Sequence, residues 1–217
     1  MPSRRLSSLS VEGPRVRLRL HAEADAGPAF ALLAGEARIL RWLVWNGPAT
    51  AEELCEYYRH ACFDGEHAQD FRLALEERAG GRLLGSLTLH FGGHPGQADV
   101  GYWIGVPFQG QGFGREALQL AAHLAFAHLA AHSLYARVFV GNEPSRRVLE
   151  RAGFTLVRTV PGRVLKQGVR VDEWQFVLLK SDWRRHFGSF RPAQETVTWD
   201  TLPFEPLEDP PRPVPRG

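Results

Sequence analysis

The sequence predicts an α/β (α+β) domain, with a mixed, mostly antiparallel central sheet of about seven strands flanked by helices and a single βαβ crossover. Three observations carry this. The stretch 70–106 reads as three consecutive alternating apolar and polar runs joined by glycine-rich turns, the pattern of an antiparallel meander. At Gly112 the apolar period lengthens to that of a helix and keeps it to about Ala131, with Leu118, Ala121, Ala122, Ala125 and Leu129 on one face. A further alternating run, "SLYARVFV", follows, so strand, helix and strand build one crossover, and no second is visible.

In chain order, residues 1–14 are polar and are expected to form a flexible lead. "RVRLRLHA" from Arg15 is the first strand. "EADAGPAFALLAGEARILRWLVW" reads as a helix broken near Gly35, and "NGPATAEELCEYYRHACF" as a second, with Thr50 and Glu53 spaced for a capping box. "DFRLALEERAGGRLLGSLTLHF" is a hairpin turning at Gly80 and Gly81, and "QADVGYWIGVP" the strand after it. Beyond the crossover come the helix "EPSRRVLERAG", with Pro144 in its first turn and Gly153 at its stop, then strands "FTLVRTV" and "VDEWQFVLLKSDW". Residues 15–183 are thus expected to be one domain. Residues 184–217 are expected to be a proline-rich extension, since seven prolines after Arg191 cannot hold ladder hydrogen bonds.

Composition narrows the function. With 26 basic and 24 acidic residues the net charge is +2, and the arginines are interspersed with acids, so nucleic acid is not an expected partner. No apolar run fits a signal peptide or a membrane span. Cys55 and Cys62, read as two turns apart on one helix, are too distant for a disulfide, which points to a reduced, cytoplasmic protein. His90 and His94 have no third ligand, so no metal is expected, and His123, His128 and His132 read as surface residues.

The chemistry concentrates in "QGQGFGREAL". Amides at a helix start have no intrahelical partner and sit at the positive end of the helix dipole, and glycines let a phosphate approach them, which makes Gln111 to Arg115 a phosphate seat. A P-loop is excluded, because no Gly-Lys-Ser/Thr triplet is present. A dinucleotide fingerprint fits Gly112, Gly114 and Ala117 poorly, because position 132 is His where an acid belongs and only one crossover exists.

Gln109-x-x-Gly112-x-Gly114 matches the Q/R-x-x-G-x-G/A signature of the GNAT acyltransferases. The longer stretch "ADVGYWIGVPFQGQGFGREAL" resembles the strand, loop and helix of that family's Rim-type branch, which includes enzymes acetylating ribosomal-protein N termini, and "VGNEPSRRVLERAGF" is similar to its next signature. The resemblance covers roughly Val16 to Trp183. It implies a GNAT fold whose crossover carries the CoA loop, and a CoA-dependent N-acyltransferase acting on a primary amine of a protein N terminus or small molecule. The donor it implies is acetyl-CoA, with succinyl-CoA or another acyl-CoA open. A CoA-binding module without catalysis and a dinucleotide-dependent oxidoreductase are the alternatives, and a homodimer is a possible assembly.

Site roles follow from the same resemblance. Trp103, Ile104, Gly105 and Val106 would run beside the pantetheine arm, exposed by a bulge or splay between neighbouring strands. Gln109, Gln111, Gly112, Phe113, Gly114 and Arg115 would hold the diphosphate, with Asn142 and Ser145 also on the cofactor. Ser145 would supply the leaving thiolate's proton, or water would, because the tyrosine many members carry four residues later is Leu149 here. Asp99 is the candidate base, the alternative being a solvent-facing strand residue. Trp42, Trp45 and Asp172 are assigned to the acceptor, with Glu173 beside Asp172 open to the same role.

Overall fold

Alternation of apolar side chains builds strands only where partners exist, and here they extend the sheet at both chain ends. The computed structural model describes residues 4–201 apart from 60, 61, 65–68, 93 and 189. Its strands are β1 (Arg4–Glu12), β2 (Val16–Leu20), β3 (Cys62–Asp64), β4 (Gln69–Glu77), β5 (Leu83–Phe91), β6 (Gln97–Ile104), β7 (Ser133–Phe139), β8 (Thr155–Lys166), β9 (Val169–Leu179) and β10 (Gln194–Thr201). The helices are α1 (Ala26–Leu33), α2 (Ala37–Leu40), α3 (Ala51–Arg59), α4 (Phe113–His123), α5 (Glu143–Arg151) and α6 (Lys180–Phe187). The strands form one sheet ordered β10-β1-β2-β4-β5-β6-β7-β9-β8, with β3 also on β4. Of the pairings described, β6 with β7 is parallel and the rest are antiparallel.

The mixed sheet, the meander and the crossover are as expected, and the sheet is larger than seven strands. Residues 4–12 are not a flexible lead: they pair with β2 on one side and β10 on the other. Residues 184–201 likewise continue the sheet through α6 and β10, contrary to an extension starting at 184; the prolines from Pro203 on lie outside the described residues. The physical reason is distance along the chain. Among the described side chains, β1 offers Leu9 and Val11 to the core from a serine-rich run, and gains its ladder from β10, where Leu9 faces Val197 and Val11 faces Glu195.

α4 and α5 cover one face of the sheet, burying Leu118, Ala121, Ala122 and Leu149 against the strands. The expected long helix loosens at its end: Leu124–His128 winds as a π-helix, with Leu129 N–H donating to Leu124 O at 3.2 Å. His123 and His128 are not plain surface residues. His123 is buried, and both imidazole Nε2 atoms lie on one Glu195 oxygen of β10, at 2.8 and 3.1 Å. Burial would raise the Glu195 carboxyl's pKa, but its two imidazole partners outweigh that and hold it below the usual range.

α1 and α3 cover the opposite face through Ala29, Leu54 and Tyr58. A buried polar network fixes them. Arg19 holds Asp25 with two 2.7 Å contacts, and His21 bridges Asp25 (3.1 Å) to Ser86 (2.9 Å) while stacking on Tyr58 at 3.7 Å. Thr50 caps α3 as expected, accepting from Glu53 N–H at 3.2 Å, but the Glu53 carboxylate reaches one residue further back, to Ala49 N–H at 2.7 Å. Cys62 stands in β3, not on a helix with Cys55. Among the described residues, no helix is long and apolar enough to cross a membrane.

Candidate active site

The crossover strands separate as they run. β6 pairs with β7 through Gln97–Ser133, Ala98–Leu134 and Asp99–Tyr135, yet β6 continues to Ile104 and β7 to Phe139 with no further pairing between them. On its other side β6 stays bonded to β5 as far as Ile104, and Gly105 N–H donates to Leu84 O at 2.8 Å. Main-chain groups alternate sides along a strand, so Trp103 and Gly101 face β5 while Tyr102 and Ile104 turn their amides toward the gap. A cavity of about 1130 Å³ occupies this opening, lined by residues from both faces of the sheet.

On the α4 face, the glycine loop forms one end of the cavity. Gly110 and Gly112 have φ of +74° and +87°, a region that strains any other side chain. Gln109 Nε2 donates to Ile104 O at 2.9 Å and Gln111 Nε2 to Pro107 O at 2.8 Å, so the glutamines brace the loop from within. Arg15 Nη1 donates to Gln111 O at 3.0 Å, and buried Glu116 accepts the Arg15 and Val16 amides at 2.7 and 2.8 Å, tying the start of α4 to β2. Gly112 is the residue before the helix and provides no side-chain cap. The first helical bond runs from Glu116 N–H to Gly112 O, which leaves the amides of Phe113, Gly114 and Arg115 at the positive end of α4. Among the described residues, no side chain bonds to them.

Where the loop meets the gap, Tyr102 OH lies 3.1 Å from Ser145 Oγ. Burial pushes the Tyr102 phenol up to about 12 although the serine contact pulls the other way, so it stays protonated and able to donate. Asn142 caps α5, its Oδ1 accepting Ser145 N–H at 3.2 Å, which sets the serine in place. Leu149 is fully buried in the core.

The opposite face carries the acids. Arg137 Nη2 is 3.2 Å from Asp99 Oδ1, near enough for an ion pair, but that oxygen receives no directed hydrogen bond. Glu173 is 4 % exposed, lines the cavity and accepts from Gln175 Nε2 at 2.9 Å; among the described residues no cation lies within ion-pairing distance of it. Trp42 and Leu43, past α2, form a wall. Buried Lys166, at the β8–β9 turn, holds that wall, donating to Trp45 O at 2.9 Å and Asn46 Oδ1 at 2.6 Å.

A family profile for the acetyltransferase (GNAT) domain matches residues 15–155. The chain belongs to the GNAT acetyltransferase family. It is therefore a CoA-dependent N-acyltransferase with a GNAT fold. This GNAT enzyme is 33 % identical over 174 residues to a Bacillus subtilis (strain 168) protein provisionally named ribosomal N-acetyltransferase YdaF, covering 77 % of this chain and 93 % of that one, in keeping with the Rim-type branch. A GCN5-related N-acetyltransferase from Brucella melitensis is similar at TM-score 0.68 and 26 % identity, over 80 % of each chain. The fold is shared with Mycobacterium smegmatis RimJ in complex with CoA-disulfide, at TM-score 0.67 and 22 % identity over 83 % of this chain and 88 % of that one.

Within the GNAT cavity, most of the residues expected from sequence come together. Trp103, Ile104, Gln109, Gly112, Phe113 and Gly114 line it, as do Arg115, Asn142, Ser145, Asp99 and Trp42. Others do not. Gly105, Val106 and Gln111 do not line it; Gln111 is exposed and braces Pro107. Trp45 is 40 % exposed and offers its carbonyl to Lys166, because the chain leaves α2 in turns and not as a continued helix. Asp172 is exposed and accepts Gly162 N–H at 2.8 Å within the β8–β9 hairpin, while its neighbour Glu173 faces the cavity. The alternation of buried Trp174, Phe176 and Leu178 is the signal that separates the two faces here. Tyr102 was not among the expected residues, because its contact joins a β6 side chain to one on α5 that no local spacing connects.

Proposed function

We propose that the enzyme transfers an acetyl group from acetyl-CoA directly to the N-terminal amine of a peptide chain, with both substrates bound at once. The observation that carries this is the cavity running through the β6–β7 gap, with helix-start amides on one face of the sheet and a buried carboxylate on the other, neither of them met by a side-chain donor, acceptor or cation in range other than Gln175 among the described residues. The fit to CoA is chemical: the Phe113, Gly114 and Arg115 amides suit a diphosphate, and the Tyr102 and Ile104 amides at the gap suit the pantetheine and thioester carbonyl. When bound, the thioester provides an activated acyl group.

The protein's own residues handle the protons. Glu173 accepts a proton from the attacking amine as the C–N bond forms. Asp99, its charge already engaged by Arg137, orients the acceptor. As the C–S bond breaks, Ser145 delivers its hydroxyl proton to the departing sulfur and recovers one from Tyr102, whose phenol reprotonates from solvent. Trp42 closes the acceptor side, held there by the Lys166 staple.

Release of free CoA, read with a thiol reagent against a panel of N-terminal peptides, tests the reading. Amine-dependent release is expected, and Tyr102→Phe is expected to lower kcat about 100-fold while KM for acetyl-CoA changes less than about threefold. Binding of CoA without turnover for any amine would instead mark a silent binding module.

A further inference from the structure

We propose that a second cavity on the acceptor face is an anion subsite, and that the preferred acceptor is a peptide whose residues just after the reacting N terminus are acidic. This rests on the acyl-transfer reading above and deepens it. The second cavity, of about 530 Å³, adjoins the first: His90, Asp99, Arg137 and Arg163 line both. A chain whose amine enters the larger cavity from this face lays its next residues in the smaller one.

The charges there are unbalanced. Arg137, Arg158 and Arg163 line the second cavity against a single lining carboxylate, Asp99, which Arg137 already pairs. Of the acids around it, Asp70 lies on His90, and Glu173 sits behind Gln175, whose amide it accepts, facing the larger cavity. Among the described residues, neither Arg158 nor Arg163 has a carboxylate within ion-pairing distance. Arg158 is also aimed: its Nε donates to Gln175 Oε1 at 2.8 Å, and Gln175 in turn donates to Glu173. One edge of the guanidinium is thereby fixed to the residue beside the base, leaving the Nη groups for a ligand. Planar guanidinium forks at a cavity mouth match carboxylates in paired geometry and disfavour ammonium groups. Polyamines and lysine-rich N termini are thus poor acceptors for this site.

The test compares kcat/KM for peptides sharing one N-terminal serine and followed by two aspartates, two alanines or two lysines, in the wild-type enzyme and in Arg158→Gln/Arg163→Gln. The wild type is expected to favour the aspartate peptide over the alanine peptide by about tenfold, with the preference shrinking as salt is raised. In the double variant the ratio falls to about one, whatever happens to the absolute rate. Equal rates for aspartate and alanine peptides in the wild type, or an acidic preference surviving in the variant, overturn the subsite. If no peptide is acetylated, the peptide-acceptor reading fails. Calorimetric titration of the aspartate peptide then decides the subsite, with charge-selective binding lost in the double variant supporting it and its absence overturning it.

Discussion

Gly112→Val raises the KM for acyl-CoA roughly 100-fold, because the position combines a left-handed backbone with the uncovered start of α4. At φ +87° a β-branched side chain costs about 1–3 kcal/mol of strain, and the loop escapes it only by rotating the peptide that precedes Phe113. That rotation turns the Phe113 and Gly114 amides away from a diphosphate, losing charge-assisted hydrogen bonds of about 1.5–3 kcal/mol each. A Cβ at 112 also comes within 3.1 Å of the Arg15 guanidinium, the group bracing Gln111. Gly114→Ala is the control. Its added methyl would meet Val148 Cγ1 at 3.4 Å, an ordinary contact, so KM is expected to move less than about threefold. Steady-state kinetics and the thermal shift produced by CoA report both variants, and an unchanged KM in Gly112→Val would remove the loop from cofactor binding.

Glu173→Gln lowers kcat by roughly 10²–10⁴ at neutral pH with KM for acyl-CoA unchanged. The substitution keeps an oxygen for Gln175 to donate to, so the cavity floor survives and the carboxylate's basicity alone is lost. An N-terminal amine titrates near pH 8, so raising the pH supplies neutral amine without a base, and the variant recovers toward wild type as the pH rises through that range. A variant impaired only in structure would not recover. Asp99→Asn is expected to cost less than about tenfold, since Arg137 already engages that carboxylate. The reverse order of effects would return the base to Asp99.

What was legible in the sequence was local. The glycine loop, the strand before it and the Asn142–Ser145 helix start are each set by neighbours in the chain, and residues of all three line one cavity. What was not legible depends on distant partners. β1 and β10 support each other across the whole chain, and β1 has too few apolar residues to announce itself. Asp172 and Glu173 differ only in which face of β9 they present, a choice fixed by register with β7 and β8. Tyr102 brings a phenol to Ser145 from another element, while Leu149, at the position where many family members carry a tyrosine, packs inside. His123 at the end of α4 and His128 in the π-helical turn after it meet an acid on β10, 72 and 67 residues further along the chain.

A crystal structure of the enzyme with CoA addresses the central claim most directly. The account predicts the diphosphate on the main-chain nitrogens of Phe113, Gly114 and Arg115, and the thiol in the opening between β6 and β7 within reach of Ser145 Oγ. A diphosphate seated elsewhere, or a thiol lying outside that opening, would contradict it.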